Sequence, residues 1–98
     1  MILLENQTND TDGSQDTFTI EPSQVSQVGN YERIVWAEGT FDSATVSLEV
    51  RPIGASNYGA EVEFTSARRE IIAIPTKLEI RGAVSGVGAS TNVTIGVS

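Results

Sequence analysis

Short runs in which apolar and polar residues alternate dominate this chain, and they constrain its fold more than any other feature. The clearest run covers residues 45–51, where Val46, Leu48 and Val50 fall on one side and polar or charged residues on the other. Alternation with a period of two is typical of a β-strand that has one buried face and one solvated face. Helical periodicity is absent from almost the whole sequence. The chain is therefore predicted to be all-β.

The same alternation recurs in further segments, which are separated by turn-forming sequences rich in Gly, Ser, Asp and Pro. With two apolar segments added, we predict strands at residues 17–21, 33–37, 45–51, 61–65, 70–75, 77–84 and 92–97. About seven short strands spaced near ten residues apart are typical of a β-sandwich or a small barrel. We therefore predict a single antiparallel β-sandwich, or a small barrel, over residues 17–98.

Two of these segments are apolar on both faces. Residues 34–37 read Ile-Val-Trp-Ala, and residues 71–74 read Ile-Ile-Ala-Ile. Central strands of a sandwich, with Trp36 in the core, are one explanation. The alternative is a strand that faces the core on one side and a neighbouring subunit on the other, which makes Ile72 a candidate assembly contact.

The first 16 residues are predicted to form a flexible acidic arm outside the sandwich. Residues 5–16 contain no apolar side chain, and they include acidic residues but no basic residue. Such a segment cannot bury enough apolar surface to fold by itself. The arm begins with an apolar tip, which we expect to lie against a neighbouring subunit in an assembly and which consists of Met1, Ile2, Leu3 and Leu4.

The composition disfavours a catalytic site and a metal-binding site. The chain has no cysteine and no histidine, which excludes disulfides, a Cys/His zinc site and imidazole catalysis. Glu49, Glu61 and Glu63 lie on the polar faces of predicted strands, as solvated charges do. The acidic residues at 10–16 lack the later glutamate and the flanking helices of a calcium loop. We predict a non-enzymatic protein without cofactor or metal.

Size and charge together indicate a subunit of a larger assembly. A domain of this length buries only about 60–65% of the surface of its unfolded chain, so association with further copies is a natural source of stability. The net charge of −7 disfavours nucleic acid and anionic membranes, and no stretch approaches membrane-spanning length. Arg68 and Arg69 form the one local basic spot and are candidate contacts for an acidic neighbour.

Residues 36–50 read WAEGTFDSATVSLEV before a turn with Pro52 and Gly54, and residues 77–88 read KLEIRGAVSGVG. These stretches resemble small virion proteins of tailed bacteriophages, in which a GTF-x-x-ATV-x-L strand precedes a Pro/Gly-rich turn and an L-x-I-R-x-x-VSG-x-G strand and loop follows. The resemblance covers residues 34–97. It implies a capsid decoration or cement subunit, made in the host cytoplasm, that forms a homotrimer and binds the major capsid protein on the outside of a phage head.

A carbohydrate-binding or receptor-binding module of a phage tail fibre is the alternative function. Aromatic rings provide flat surfaces on which sugars stack, and their polar atoms can bind a ligand as well. Candidate ligand contacts under this alternative are Tyr31, Trp36 and Tyr58. Glycan binding by the isolated protein would separate the two functions.

Overall fold

The computed structural model describes residues 1–22 and 31–98, which form antiparallel β-strands joined by turns and loops. The strands are β1 Ile2–Gln7, β2 Phe18–Ile20, β3 Glu32–Thr40, β4 Thr45–Pro52, β5 Gly59–Phe64, β6 Arg68–Ala73, β7 Leu78–Ser85 and β8 Asn92–Val97. Within these residues, no helix is long and apolar enough to span a membrane. Each segment predicted as a strand overlaps one of β2 to β8, and the predicted all-β class is confirmed.

The strands form two four-stranded sheets that pack face to face. The first sheet, called sheet one here, has the order β1-β8-β3-β6, and sheet two has the order β2-β7-β4-β5. Every pair of neighbouring strands is antiparallel. Eight strands in this order, with consecutive strands often in different sheets, have the topology of a jelly roll, a β-sandwich built from two Greek keys.

The core lies between the sheets and is built from the inward residues of each strand. In β4, Val46 and Leu48 are fully buried, and Val46 stands between Phe64 of β5 and Val84 of β7 in the register of the sheet. The largest side chains that are almost completely buried come from both sheets: Phe64, Leu48, Ile74, Ile80, Ile95, Val35, Val46 and Val93. The alternation in the sequence therefore predicted the inward face of these strands.

The first strand contradicts the prediction of a flexible arm over residues 1–16. β1 pairs with β8, and the backbone N–H of Val97 donates a 2.8 Å hydrogen bond to the carbonyl of Met1. Leu3 is only 4% exposed, and Leu4 reaches across the sandwich to Gly82 of β7, where a Cβ atom would lie 3.0 Å from the Leu4 side chain. The apolar tip thus belongs to the core of its own subunit.

Two irregularities explain why alternation did not reveal β1. The register between β1 and β8 shifts between Ile2 and Leu4, and again between Leu4 and Gln7. Asn6, near the second shift, has a left-handed backbone with φ of 51°. A bulge inserts an extra residue and breaks the period of two, so the sequence of β1 does not alternate.

The polar segment after β1 also packs on the sandwich. Beyond the short β2, the edge of β7 is covered by Thr11, whose N–H donates to the carbonyl of Val84 at 2.9 Å and whose hydroxyl accepts from the Val84 N–H at 3.1 Å. The side-chain amide of Gln15 donates to the carbonyl of Gly82 at 2.9 Å. These side chains replace a neighbouring strand, so an ordered segment needs no apolar residues here.

Replacement of Leu3 by alanine tests whether β1 belongs to the core. We expect Leu3→Ala to lower the free energy of unfolding by about 2–4 kcal/mol, because it leaves a cavity between the sheets. The adjacent Ile2→Ala is the matched control, and we expect a change below about 1 kcal/mol because Ile2 is 42% exposed. Urea denaturation monitored by circular dichroism measures both values. Equal effects of the two substitutions would contradict the position of Leu3.

Candidate functional site

Backbone pairing decides which side chains of sheet one point away from the core. Val35 of β3 lies opposite Val97 of β8, and both are buried. Because successive side chains of a strand point to opposite faces, the neighbouring Ile34 and Trp36 point outward. Sheet one therefore has apolar residues on both of its faces, in contrast to the polar outer face that is usual for an antiparallel sandwich.

The outward apolar residues are contiguous across the four strands. Ile2 lies opposite Gly96, and Gly96 lies opposite Trp36, while Ile34 lies opposite Ile71 in the next row. Ile2 is 42% exposed and Ile71 is 54% exposed, whereas Ile34 and Trp36 are half-buried. We call this surface the outer apolar face, defined by Ile2, Ile34, Trp36, Ile71 and Gly96. Contiguous exposed apolar surface of this kind is typical of interaction sites.

The indole ring of Trp36 lies over Gly96 at the centre of this face. A Cβ atom at Gly96 would lie 2.4 Å from the Trp36 ring and 2.8 Å from the carbonyl oxygen of Met1. Glycine is required because any side chain would displace the indole. The ring is half-buried against the backbone of β8, so it is held in place while part of it stays accessible. A rigid, partly exposed aromatic ring is suited to contact with another molecule.

Among the described residues, charged side chains lie at the border of the outer apolar face. Arg69 of β6 stands directly opposite Trp36 and is exposed, and no residue in the part of the chain that the structure describes forms an ion pair with it. On the other side, Glu38 of β3 stands opposite Thr94 of β8. The face thus has an apolar centre, with the cation of Arg69 at the β6 edge and the carboxylate of Glu38 farther along β3.

The outer face of sheet two has a different character, because it carries charged side chains, and those of β4 and β7 are paired. Arg51 forms an ion pair with Glu79 at 3.3 Å, and Arg81 forms one with Glu49 at 2.6 Å. Both guanidinium groups lie on the ring of Tyr58, at 4.4 and 4.1 Å from its centroid. These contacts join β4, β7 and the loop before β5, and they stabilise the strand register.

This cluster provides no arrangement for acid–base catalysis. Each carboxylate of the pairs is held in an ion pair by an arginine, which is a structural role. The hydroxyl of Tyr58 is buried, and none of the described residues forms a hydrogen bond with it. A buried phenol without a hydrogen-bond partner is not activated as a nucleophile or a base.

An open groove of about 430 Å³ lies between β1 and the segment at residues 10–16. Its lining includes Leu3, Leu4 and the carboxylates of Asp10, Asp12 and Asp16. Hydrogen bonds from the side chain and backbone of the following serine, Ser14, lower the pKa of Asp12 from its ordinary value. Within residues 1–22 and 31–98, no group of three or more His, Cys, Asp or Glu residues could hold a metal ion. The groove is an acidic surface feature, and the described residues that line it do not form a metal site.

The loop at residues 86–91, which follows β7, is held by carboxylates from other loops. Asp10 accepts a 3.1 Å hydrogen bond from the N–H of Val87, and Asp42 accepts one of 2.7 Å from the N–H of Ser90. Thr91 is buried, and its hydroxyl donates to the carbonyl of Phe41 at 2.9 Å. The two aspartates therefore serve this end of the sandwich as structural residues.

The candidate assembly contacts from the sequence lie in three different environments. Met1 and Ile2 are exposed at the β1 edge of sheet one, and Arg69 is exposed at its β6 edge. Leu3 and Ile72 are 4% and 6% exposed, so their prediction as contacts to a neighbour is corrected: both are buried in the core of their own subunit. Leu4 and Arg68 form the third group.

Leu4 and Arg68 act mainly within the subunit. Leu4 packs between the sheets, as described above. Arg68 forms an ion pair with Glu70, donates a 3.0 Å hydrogen bond to the carbonyl of Glu63, and lies 5.0 Å from the centroid of the Phe64 ring. It therefore connects the edges of β5 and β6. Ile72, which lies opposite Arg33, is buried because its side chain points to the inward face of β6. The side chain of its neighbour Ile71 points outward.

The three candidate aromatic ligand contacts do not form one platform. Trp36 lies on the outer face of sheet one, and Tyr58 lies under two arginines on the outer face of sheet two. Tyr31 is 43% exposed and lies immediately before β3, where its carbonyl accepts a hydrogen bond from the N–H of Ile74. The expectation that Trp36 belongs to the core between the sheets is also corrected, because alternation from the buried Val35 turns it outward.

Three members of the outer apolar face were missed as candidate residues: Ile34, Ile71 and Gly96. The segments that contain Ile34 and Ile71 carried a signal, since both are apolar on two faces. Gly96 carried none, because its role depends on the ring of Trp36, which lies 60 residues away in the sequence. Comparisons with protein-family models, with curated proteins and with solved structures find no match to this chain.

Removal of the Tyr58 hydroxyl tests the interpretation of the cluster on sheet two. We expect Tyr58→Phe to leave the free energy of unfolding unchanged or to raise it by up to about 1 kcal/mol, because a buried hydroxyl without a partner destabilises the fold. Tyr58→Ala should lower it by about 2 kcal/mol, because the ring and both cation–π contacts are lost. Thermal and urea unfolding measure both. A large loss in Tyr58→Phe would show that the hydroxyl has a structural partner.

Proposed function

We propose that this chain is a non-enzymatic structural subunit of a virion, which docks on the outside of a phage capsid as a decoration or cement protein. The observation that carries the proposal is the outer apolar face of sheet one. In a monomeric sandwich the outer face of an antiparallel sheet is solvated and usually polar, whereas this outer face carries Ile2, Trp36 and Ile71. When the subunit binds a partner through this face, burial of the apolar surface stabilises the complex.

The composition of the face supports a protein partner. Interfaces between proteins are enriched in aromatic residues and arginine at their centres, and charged residues other than arginine are depleted there. The outer apolar face has Trp36 at its centre and Arg69 beside it, while Glu38 lies outside the apolar rows. The paired charges on sheet two make that face suited to solvent. This difference between the two faces is expected of a subunit attached by one side.

The fold and the resemblance support the virion part of the proposal in different ways. Jelly rolls occur in viral capsid proteins, in lectins and in other proteins, so the topology alone does not select a function. The stretches at residues 36–50 and 77–88 resemble phage virion proteins, and most of their apolar residues are buried in the core or packed against it. The resemblance therefore supports a shared fold, and the outer apolar face supports attachment.

The charge of the chain indicates the surface chemistry that the capsid partner needs. A net charge of −7 favours a partner surface, here that of the major capsid protein, with apolar groups bordered by basic ones. The resemblance implies a homotrimer, and a self-associated subunit on a capsid lattice remains part of the proposal.

The fibre module is the second candidate, and one observation favours it. The ring of Trp36 is fixed on Gly96 and partly accessible, which is the arrangement that a sugar-stacking site requires. Without Tyr31 or Tyr58 at its side, this ring would bind a sugar through a single stacking contact and few neighbouring polar groups.

Binding to capsids that lack the protein tests the proposal, and Trp36 reports on it. The chain has one tryptophan, so a blue shift of its emission on addition of capsids would report burial of the outer apolar face. We expect Ile2→Asp to weaken this binding about tenfold or more, because it puts a charge on the docking surface.

Ala60→Asp is the matched control, since Ala60 is exposed on β5 of sheet two, and it should bind as the unmodified chain does. A panel of soluble oligosaccharides is tested with the same fluorescence. An emission change with sugars and none with capsids would transfer the assignment to the fibre module. No change with either would remove both functions.

A further inference from the structure

Backbone hydrogen bonds show which groups of β6 point to the edge of sheet one, where no strand of the described residues pairs with them. The N–H of Ile74 donates to the carbonyl of Tyr31 at 2.7 Å, in the same register that places Ile72 opposite Arg33. In an antiparallel ladder, bonded residues alternate along the strand. The even-numbered residues of β6 therefore bond to β3. The backbone N–H and C=O groups of Arg69, Ile71 and Ala73 point to the free edge.

The same alternation holds across the rest of sheet one, which supports this assignment. The residues of β3 that do not bond to β6 bond to β8 instead. One example is Ile34, whose carbonyl accepts a 2.8 Å hydrogen bond from the N–H of Ser98. On the far side of β8, the N–H of Val97 donates to the carbonyl of Met1. No strand among residues 1–22 and 31–98 pairs with the outer edge of β6.

The other three sheet edges carry features that discourage pairing with another chain. The β1 edge has two register shifts, and the β2 edge is three residues long and is extended by the side chains of residues 11–15. The β5 edge has a register shift and carries Glu61 and Glu63. β6 pairs with β3 without any shift and ends in the apolar residues 71–73. A regular, half-apolar edge of this kind is a template for another strand.

We propose that the β6 edge pairs with β6 of a second copy of this chain, antiparallel, about a two-fold axis at Ile71. In this register Ile71 faces the Ile71 of the second copy, and Arg69 faces Ala73 in both directions. All three residues with free backbone groups then bond to a residue that also has free groups. The two copies of sheet one become one continuous eight-stranded sheet.

Other two-fold registers fit less well. A two-fold axis at Arg69 places two arginines directly opposite each other, which is unfavourable, and leaves Ala73 without a β6 partner. A two-fold axis at Glu70 places two carboxylates directly opposite each other. Only the register at Ile71 places an uncharged side chain on the axis and uses the full length of the free edge.

This inference rests on the proposed function, and it names the partner and the symmetry of the self-assembly. The rows of Ile34 and Ile71 from the two copies become continuous, so the pair presents one outer apolar face of twice the width to a capsid. A two-fold contact is closed by two subunits. The expected unit is therefore a dimer in place of the homotrimer that the resemblance implies.

Single cysteines test the register, because the chain has no cysteine of its own. In a hydrogen-bonded antiparallel pair the Cα atoms are about 5.5 Å apart, which a disulfide can bridge. We expect Ile71→Cys to form a covalent dimer in nearly all of the protein under mild oxidation. Ala73→Cys is the matched control on the same face and strand. Its two copies would lie four residues apart, about 13 Å, and should cross-link at least tenfold more slowly.

The double variant Arg69→Cys with Ala73→Cys provides a second test, since each cysteine then faces the other residue of the second copy, and we expect efficient cross-linking. Sedimentation of the unmodified chain should show a concentration-dependent dimer. A monomer at all concentrations, or equal cross-linking of Ile71→Cys and Ala73→Cys, would overturn the inference.

Capsid binding is measured with the unmodified chain, because Ile71 itself lies in the outer apolar face, and this keeps the test separate from that of the function. If Ile71→Cys does not cross-link and the unmodified chain binds capsids, the edge contact is wrong and the docking function stands. If Ile71→Cys cross-links and the unmodified chain does not bind capsids, the dimer stands and the docking function is wrong.

Discussion

The packing of the two sheets through a single layer of aliphatic and aromatic side chains is the interaction on which the rest of the structure depends. Val35 and Ile95 from sheet one, and Leu48, Phe64 and Ile80 from sheet two, have no exposed surface. No disulfide supplements this layer, because the chain has no cysteine. Every strand that can contribute an inward side chain therefore adds needed stability, and this explains why β1 is part of the sandwich.

The same layer determines the outer faces, because a strand residue that points inward turns both of its neighbours outward. On sheet two the outward positions of β4 and β7 hold arginines and glutamates that form ion pairs, and both arginines contact Tyr58. On sheet one they hold Ile34, Trp36 and Ile71, and the cation beside them, Arg69, stays unpaired among the described residues. One sandwich thus has a face suited to water and a face suited to a partner, and the free β6 edge borders the second.

Residue-level expectations failed where the local pattern was ambiguous. Ile71 and Ile72 are adjacent and chemically identical, and only the pairing of β6 with β3 decides that Ile72 is buried and Ile71 is exposed. The N-terminal residues were assigned to an arm because bulges in β1 remove the alternation that marks a strand. The polar segment that follows β1 is ordered through side-chain hydrogen bonds to the edge of β7, and composition contains no information about such a partner.

The sequence by itself determined the all-β class, the positions of β2 to β8 and the inward face of regular strands such as β4, because the period of two is a local property of a strand with one wet face. It also indicated that the segments with Ile34 and Ile71 have two apolar faces. Only the tertiary structure decided the order of the strands, the membership of β1 and the placement of Trp36 over Gly96. These depend on register between segments far apart in the chain, and a shift of one residue turns every side chain to the opposite face.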